Sequence, residues 1–184
     1  RDNNALTIGP VGTSIGLTSS GNISLQTGGL LTIGTGVGQD ASGGTVTLNA
    51  AGVKEEAGSV VTATSLQLQG AGAFDMTEGN NVGTLAAAVS GSIDYRDTDA
   101  LTIGTVATPG IATSGGPVRV TSTGSLVVSS NINTGPGSGT ARIGLGVTGG
   151  ATVNGTAIVG GTTFATSGGN VTLNRSDVHN APEG

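Results

Sequence analysis

Ala5-Leu6-Thr7-Ile8-Gly9 returns as Ala100-Leu101-Thr102-Ile103-Gly104, a shift of 95 residues. The match runs outward from those five positions. Arg1-Asp2 falls on Arg96-Asp97, and Val11 on Val106. Gly21-x-Ile23-x-Leu25 falls on Gly116-x-Val118-x-Val120, and Leu31-Thr32-Ile33 on Leu126-Val127-Val128. A long-range self-match that keeps strand-like residues in step signals a repeat architecture. It divides the chain into one unit over residues 1–95 and a second over 96–184.

Between the matches the chain consists of short apolar runs set off by Gly, Ser, Asn and Thr. Leu6-Thr7-Ile8, Ile23-Ser24-Leu25, Val46-Thr47-Leu48, Val118 to Val120 and Val171-Thr172-Leu173 are typical. Their period-two alternation sends successive side chains to opposite faces of a strand. Only Leu85 to Val89, with three alanines, has the look of a helical turn, and it is too short to stand alone. The class is therefore all-β.

Turn chemistry separates stacked coils from hairpins. Two-residue hairpins favour Asn-Gly or Asp-Gly, yet the sequence has one Asn-Gly, at Asn154-Gly155, and no Asp-Gly. Instead a Ser-Gly-Gly corner precedes Thr45-Val46, Pro117-Val118 and Asn170-Val171. Related corners recur 23 residues apart, before Ile23 and Val46 and again before Val118 and Ala141. That distance suits one coil of a parallel β-helix, whose coils stack at ~4.8 Å around ladders of small aliphatics. Four such coils, or five shorter ones, fill the 95-residue unit, giving about eight in all. A β-sandwich is the competing all-β arrangement.

Gly43-Gly44-Thr45-Val46-Thr47-Leu48-Asn49 also resembles the stretch from Gly168 to Asn174, displaced by 125 residues. The second unit is thus expected to hold an extra coil near 146–168. Neither Arg1-Asp2-Asn3-Asn4 nor residues 179–184 resembles a polar cap, so the chain reads as a window of a longer array, continued by further repeats or by identical subunits stacked end to end.

Composition agrees with a narrow interior. The chain carries thirty-six glycines, two phenylalanines, one tyrosine and no tryptophan, so Val, Ile, Leu and Ala must fill the core. Its mean hydropathy of +0.17 argues against a disordered low-complexity chain. The net charge is −5, and the basic residues Arg1, Lys54, Arg96, Arg119, Arg142 and Arg175 are scattered. That distribution argues against nucleic acid as a partner. No apolar run reaches the ~18–20 residues of a spanning helix, so membrane insertion is not expected. With zero cysteines there is no disulfide framework or thiolate metal site.

The phrases at 21–29, 46–52, 80–87 and 92–106 (the last Ser-Ile-Asp-Tyr-Arg-Asp-Thr-Asp-Ala-Leu-Thr-Ile-Gly-Thr-Val) resemble the repeat region of filamentous-haemagglutinin-like exoproteins. The resemblance spans nearly the whole chain. It implies a right-handed parallel β-helix, secreted by a two-partner outer-membrane route. It also implies an extracellular, bacterial cell-surface adhesin or fibre that meets a host-cell or matrix surface. The family's amino-terminal secretion domain is not recognisable in these residues.

Residues able to carry chemistry are few. Asp94, Asp97 and Asp99 offer oxygens to calcium, but a hard cation wants six to eight ligands, and a solvated turn is the expected reading. Glu55, Glu56 and Glu78 read as exposed corner charges. His179 is the only histidine and lacks the partners of a metal site or a triad. Asn22, Asn154, Asn170 and Asn174 head Asn-x-Ser/Thr triplets. The resemblance implies that such asparagines can be glycosylated; the plainer expectation is that they complete turns. No catalytic, cofactor-binding or metal residue is therefore assigned, and no cofactor. The expected function is a non-enzymatic structural module of a fibre or adhesin. The alternative is a carbohydrate-binding or carbohydrate-processing β-helix, which requires aromatic platforms and clustered carboxylates. Ice binding through Thr-x-Thr ranks is set aside, because the rank at Thr45-Val46-Thr47 is broken at Thr140-Ala141-Arg142.

Overall fold

The computed structural model describes residues 2–13, 16–135 and 143–147, and the backbone of five further strand segments between 150 and 179. Among the described residues there is no helix; the chain is a parallel β-solenoid.

One ladder carries seven rungs, and so six turns separate its first rung from its last. The rungs are Leu6–Ile8, Leu31–Ile33, Val53–Glu55, the start of the Phe74–Val89 strand, Ile93–Asp97, Val118–Ser122 and Ile143–Val147. Consecutive rungs pair parallel, with steps of 25, 22, 21, 19, 25 and 25 residues. A second ladder stacks Ile23–Gln26 on residues 45–50, 65–70 and 84–89. It continues through Leu101–Ile103 with Ile111–Ala112, and Leu126–Val128 with Ile132–Asn133. A short third ladder, Gly16–Thr18 on residues 38–41, 60–63 and 81–82, fills the corner between them in the first four coils.

Alternation puts one apolar column after another inside. Leu31, Val53, Phe74, Ile93 and Val118 line the first ladder. Val46, Leu66, Leu85, Ile103 and Val128 line the second, each buried. Along the alternating runs, Leu31, Ile33, Val46 and Leu48 are wholly buried and Ile23 nearly so. Ile8 and Leu25, in the first coil, are only partly covered because their rungs pair on one side. Leu85 to Val89 is strand, its alanines seated in ladder positions.

The glycine corners have a steric cause. A Cβ on Gly44 would collide with the backbone of Gly21 one coil away, and one on Gly116 with Gly91. The 23-residue spacing read at the first corner is the register Ile23↔Val46. At the later corner the register is instead Val118↔Ile143.

Two expectations meet a different arrangement. Leu6–Ile8 lies in the first ladder, whereas its 95-residue match Leu101–Ile103 lies in the second. The middle coils are shorter than the outer ones, so sequence repeat and coil drift out of phase. In the region assigned an extra coil, Gly150–Val153 and Ala157–Val159 continue the second ladder in parallel. The chain then reverses. Thr162–Phe164 pairs antiparallel with Ala157–Val159, Val171–Asn174 with Gly150–Val153, and Val178–His179 with Gly144–Leu145. Val171–Asn174 therefore does not repeat the parallel setting of Val46–Asn49.

Candidate functional site: a buried polar corner and an extruded loop

Two features depart from the plain aliphatic stack. The first is the corner at the end of the first ladder, where Glu55, Asn80, Asp97 and Ser122 are all buried in successive coils. Glu55 occupies the inward position paired with Ile33 in the coil before. Its Oε2 accepts from the Glu78 N–H and from Asn80 Nδ2, both at 3.1 Å, and its Oε1 is buried without a partner. Burial pushes the Glu55 carboxyl up to about 7. The Asn80 and Glu78 hydrogen bonds oppose that rise, and the neighbouring Glu78 and Asp75 carboxylates add to it.

Asn80 works as a staple across three coils. Its Oδ1 accepts from the Val61 N–H at 2.7 Å, and its Nδ2 also donates to the Arg96 carbonyl at 3.2 Å. Asp97 Oδ2 accepts from the Tyr95 hydroxyl at 2.9 Å and the Val82 N–H at 3.0 Å. Its Oδ1 accepts from the Asp99 N–H at 2.9 Å. Burial raises the Asp97 carboxyl above its ordinary range against those three bonds. Burial, then the adjacent Asp97 charge, raises the Tyr95 phenol well above its own.

These placements revise the reading of the acidic residues. Glu55 is not an exposed corner charge: it sits at an odd-numbered inward site of Val53-Lys54-Glu55, with only Lys54 turned out. Lys54 pairs with Glu56 at 2.8 Å on the surface. Glu78 is half-buried rather than exposed, and its Oε2 accepts from the Gly58 N–H. Asp94, Asp97 and Asp99 do not converge either. Strand parity turns Asp94 outward to Arg119 at 3.3 Å and Asp97 inward, while Asp99 lies exposed in the following turn. Among the described residues no group of three His, Cys, Asp or Glu is placed to hold a metal ion. Asn22 Oδ1 accepts from the Thr45 N–H at 2.9 Å, one coil away. Arg1, Arg142, Asn154, Asn170 and Arg175 lie outside the described residues, and so do the side chains of Asn174 and His179.

The second feature is a loop no spacing rule announced. Leu85 and Ala87 are neighbours on one inward face; their partners in the next coil, Ile103 and Ile111, are separated by seven residues, 104–110. The excess chain folds back on the outer face of the second ladder. There Gln67 holds it: its Oε1 accepts from the N–H groups of Ala107 at 2.9 Å and Thr108 at 3.0 Å, and its Nε2 donates to Thr108 Oγ1 at 2.9 Å. The cover is tight enough that outward-facing Gln67 is wholly buried. Beside the loop runs a shallow groove of about 410 Å³, lined by Pro109, Ile111, Ala112, Ser130, Asn131 and Asn133.

Phe74 and Tyr95, two of the three aromatic residues, are sealed in the core and present no ring to solvent. The carboxyls of the buried corner are covered by the coils themselves. Comparison with known proteins returns no matching family model, no matching curated protein and no matching solved structure.

Proposed function

We propose that the chain is a non-enzymatic structural module of a secreted or cell-surface fibre or adhesin, a stiff segment of β-helical shaft. The observation that carries this reading is the unbroken parallel ladder of seven rungs. Each rung satisfies its neighbours' backbone groups, and six turns at ~4.8 Å give a rise of about 30 Å. In a stack whose units contact only their neighbours, length is gained without any change in cross-section. Right-handed winding, the rule for parallel strand crossovers, belongs to the same reading. So does a shaft of about eight coils. The 95-residue self-match then marks a duplication whose strand-forming phrases outlived the phase of the coils. Partners on this reading are further repeats or identical subunits along the axis, and a host-cell or matrix surface at the sides. The carbohydrate alternative lacks support from Phe74 and Tyr95, both buried.

Immunogold electron microscopy of the native cell-surface material, with antibodies raised against residues 1–184, tests the proposal. Gold aligned along thin fibres of uniform width is expected. Label confined to the cytoplasm or to globular particles would overturn it.

A further inference from the structure

Glu55 stands where the column calls for an aliphatic side chain. Its partner in the previous coil is Ile33, and the residue itself is only 7% exposed. A carboxylate buried there needs a countercharge or a full set of donors. It has neither. Oε2 takes two hydrogen bonds from the fourth coil, and Oε1 takes none. The cations nearby are engaged elsewhere or point away: Lys54 is turned to Glu56, Arg119 to Asp94, and Arg96 is exposed. The remaining ionisable groups around it are Asp75 and Glu78 in the fourth coil and Tyr95 and Asp97 in the fifth. The second coil contributes Ile33 and the neutral Gln39. Gln39 Oε1 and Nε2 and Ser59 Oγ, at the same corner, are also buried without partners. The two donors on Oε2 favour the charged carboxylate, but burial, the neighbouring Asp75 and Glu78 carboxylates and the missing donor on Oε1 outweigh them and favour the neutral acid, which gains a donor on Oε1 while Oε2 keeps both its bonds.

We propose that Glu55 is a proton-controlled joint between the third and fourth coils: the coils close over the protonated carboxyl, and loss of its proton leaves a buried charge with no countercharge and an unpartnered Oε1, which opening the joint to water relieves. The direction of the pH response follows from linkage. The folded carboxyl holds its proton up to about 7, against 4.5 for the free group. Between those values the folded chain carries a proton that the unfolded chain has released. The stabilisation is complete below about pH 4.5 and is lost as pH rises through about 7. Within the window the unfolding constant grows by up to roughly tenfold per pH unit. A solenoid with this joint is stiffer in acid and softer on the alkaline side of neutrality.

Thermal melts of the whole chain from pH 5 to pH 8, wild type beside Glu55→Gln, test this. Gln keeps an acceptor for Glu78 and Asn80 and supplies a permanent donor. Wild-type Tm is expected to fall on the order of 5 °C across the range, and E55Q to fall less and to melt above wild type at pH 8. The comparison separates Glu55 from Asp97, whose raised carboxyl gives a slope of the same sign in both proteins. Carboxyl NMR titration of the wild type reads the same group without a variant. A midpoint near 7 supports the joint. A midpoint near 4, or an E55Q slope equal to wild type, overturns it.

Discussion

Replacing Leu66 by Ala should cost the solenoid about 3 kcal/mol. Leu66 is wholly buried in the second ladder, with Val46 on one side and Leu85 on the other, both themselves wholly buried. Removing three carbons forfeits their transfer free energy and leaves a cavity, which together amount to ~2–5 kcal/mol in aliphatic cores. Collapse is limited here, because the rungs on both sides are fixed by their own ladder bonds at ~4.8 Å and cannot move in to fill the gap. Ile23→Ala supplies the contrast. Its rung pairs with residues 46–49 alone, and Ile23 keeps 7% exposure. The first coil is freer to relax there, so the expected loss is smaller, about 1–2 kcal/mol. Urea unfolding followed by circular dichroism at pH 5, where the Glu55 contribution is nearly complete, measures both. Equal losses, or a Leu66→Ala loss below about 1 kcal/mol, would refute the claim that the interior column is continuous and tightly held.

Gln67→Ala removes the hydrogen bonds that pin residues 104–110 to the outer face; limited proteolysis is expected to cut inside that loop in the variant and spare it in wild type, with the rest of the chain intact. Tyr95→Phe deletes the hydroxyl donor to Asp97 Oδ2 and should cost about 1–2 kcal/mol at pH 7. That bond favours the charged carboxylate, so the loss should shrink at pH 4, as paired denaturation curves would show.

The parallel coil was legible because its signals are local. Period-two alternation set the faces at Leu31-Thr32-Ile33 and Val46-Thr47-Leu48, and the close approach of Gly44 to Gly21 left a glycine corner one coil from its counterpart. What the sequence concealed depends on neighbours one coil away. Glu55 looks like a surface charge until its parity on Val53-Lys54-Glu55 is combined with the staple from Asn80, 25 positions later. Asp97 reads as part of a solvated acidic turn; yet alternation through Tyr95 carries it inside, and the N–H groups of Val82 and Asp99 make it tolerable there. The loop at 104–110 was hidden by the 95-residue match itself, which laid Leu101-Thr102-Ile103 over Leu6-Thr7-Ile8 although the two occupy different ladders. A ladder position is a property of the stack, and coils of 19 to 25 residues erase any fixed period.

Cysteine pairs decide most directly whether the strands stack in parallel coils, since the chain has no cysteine of its own. Asp94 and Arg119 face each other across adjacent coils, both partly exposed. Neighbouring parallel strands lie ~4.8 Å apart, within the Cα separation of roughly 4.4–6.8 Å that a disulfide spans. In an antiparallel meander, a hairpin turning at 98–100 would instead set Arg96 against Thr102. Under mild oxidation of the folded protein, the Asp94→Cys/Arg119→Cys variant is expected to close a disulfide nearly completely and the Arg96→Cys/Thr102→Cys variant to remain reduced. Closure of the second pair with the first left open would contradict the solenoid.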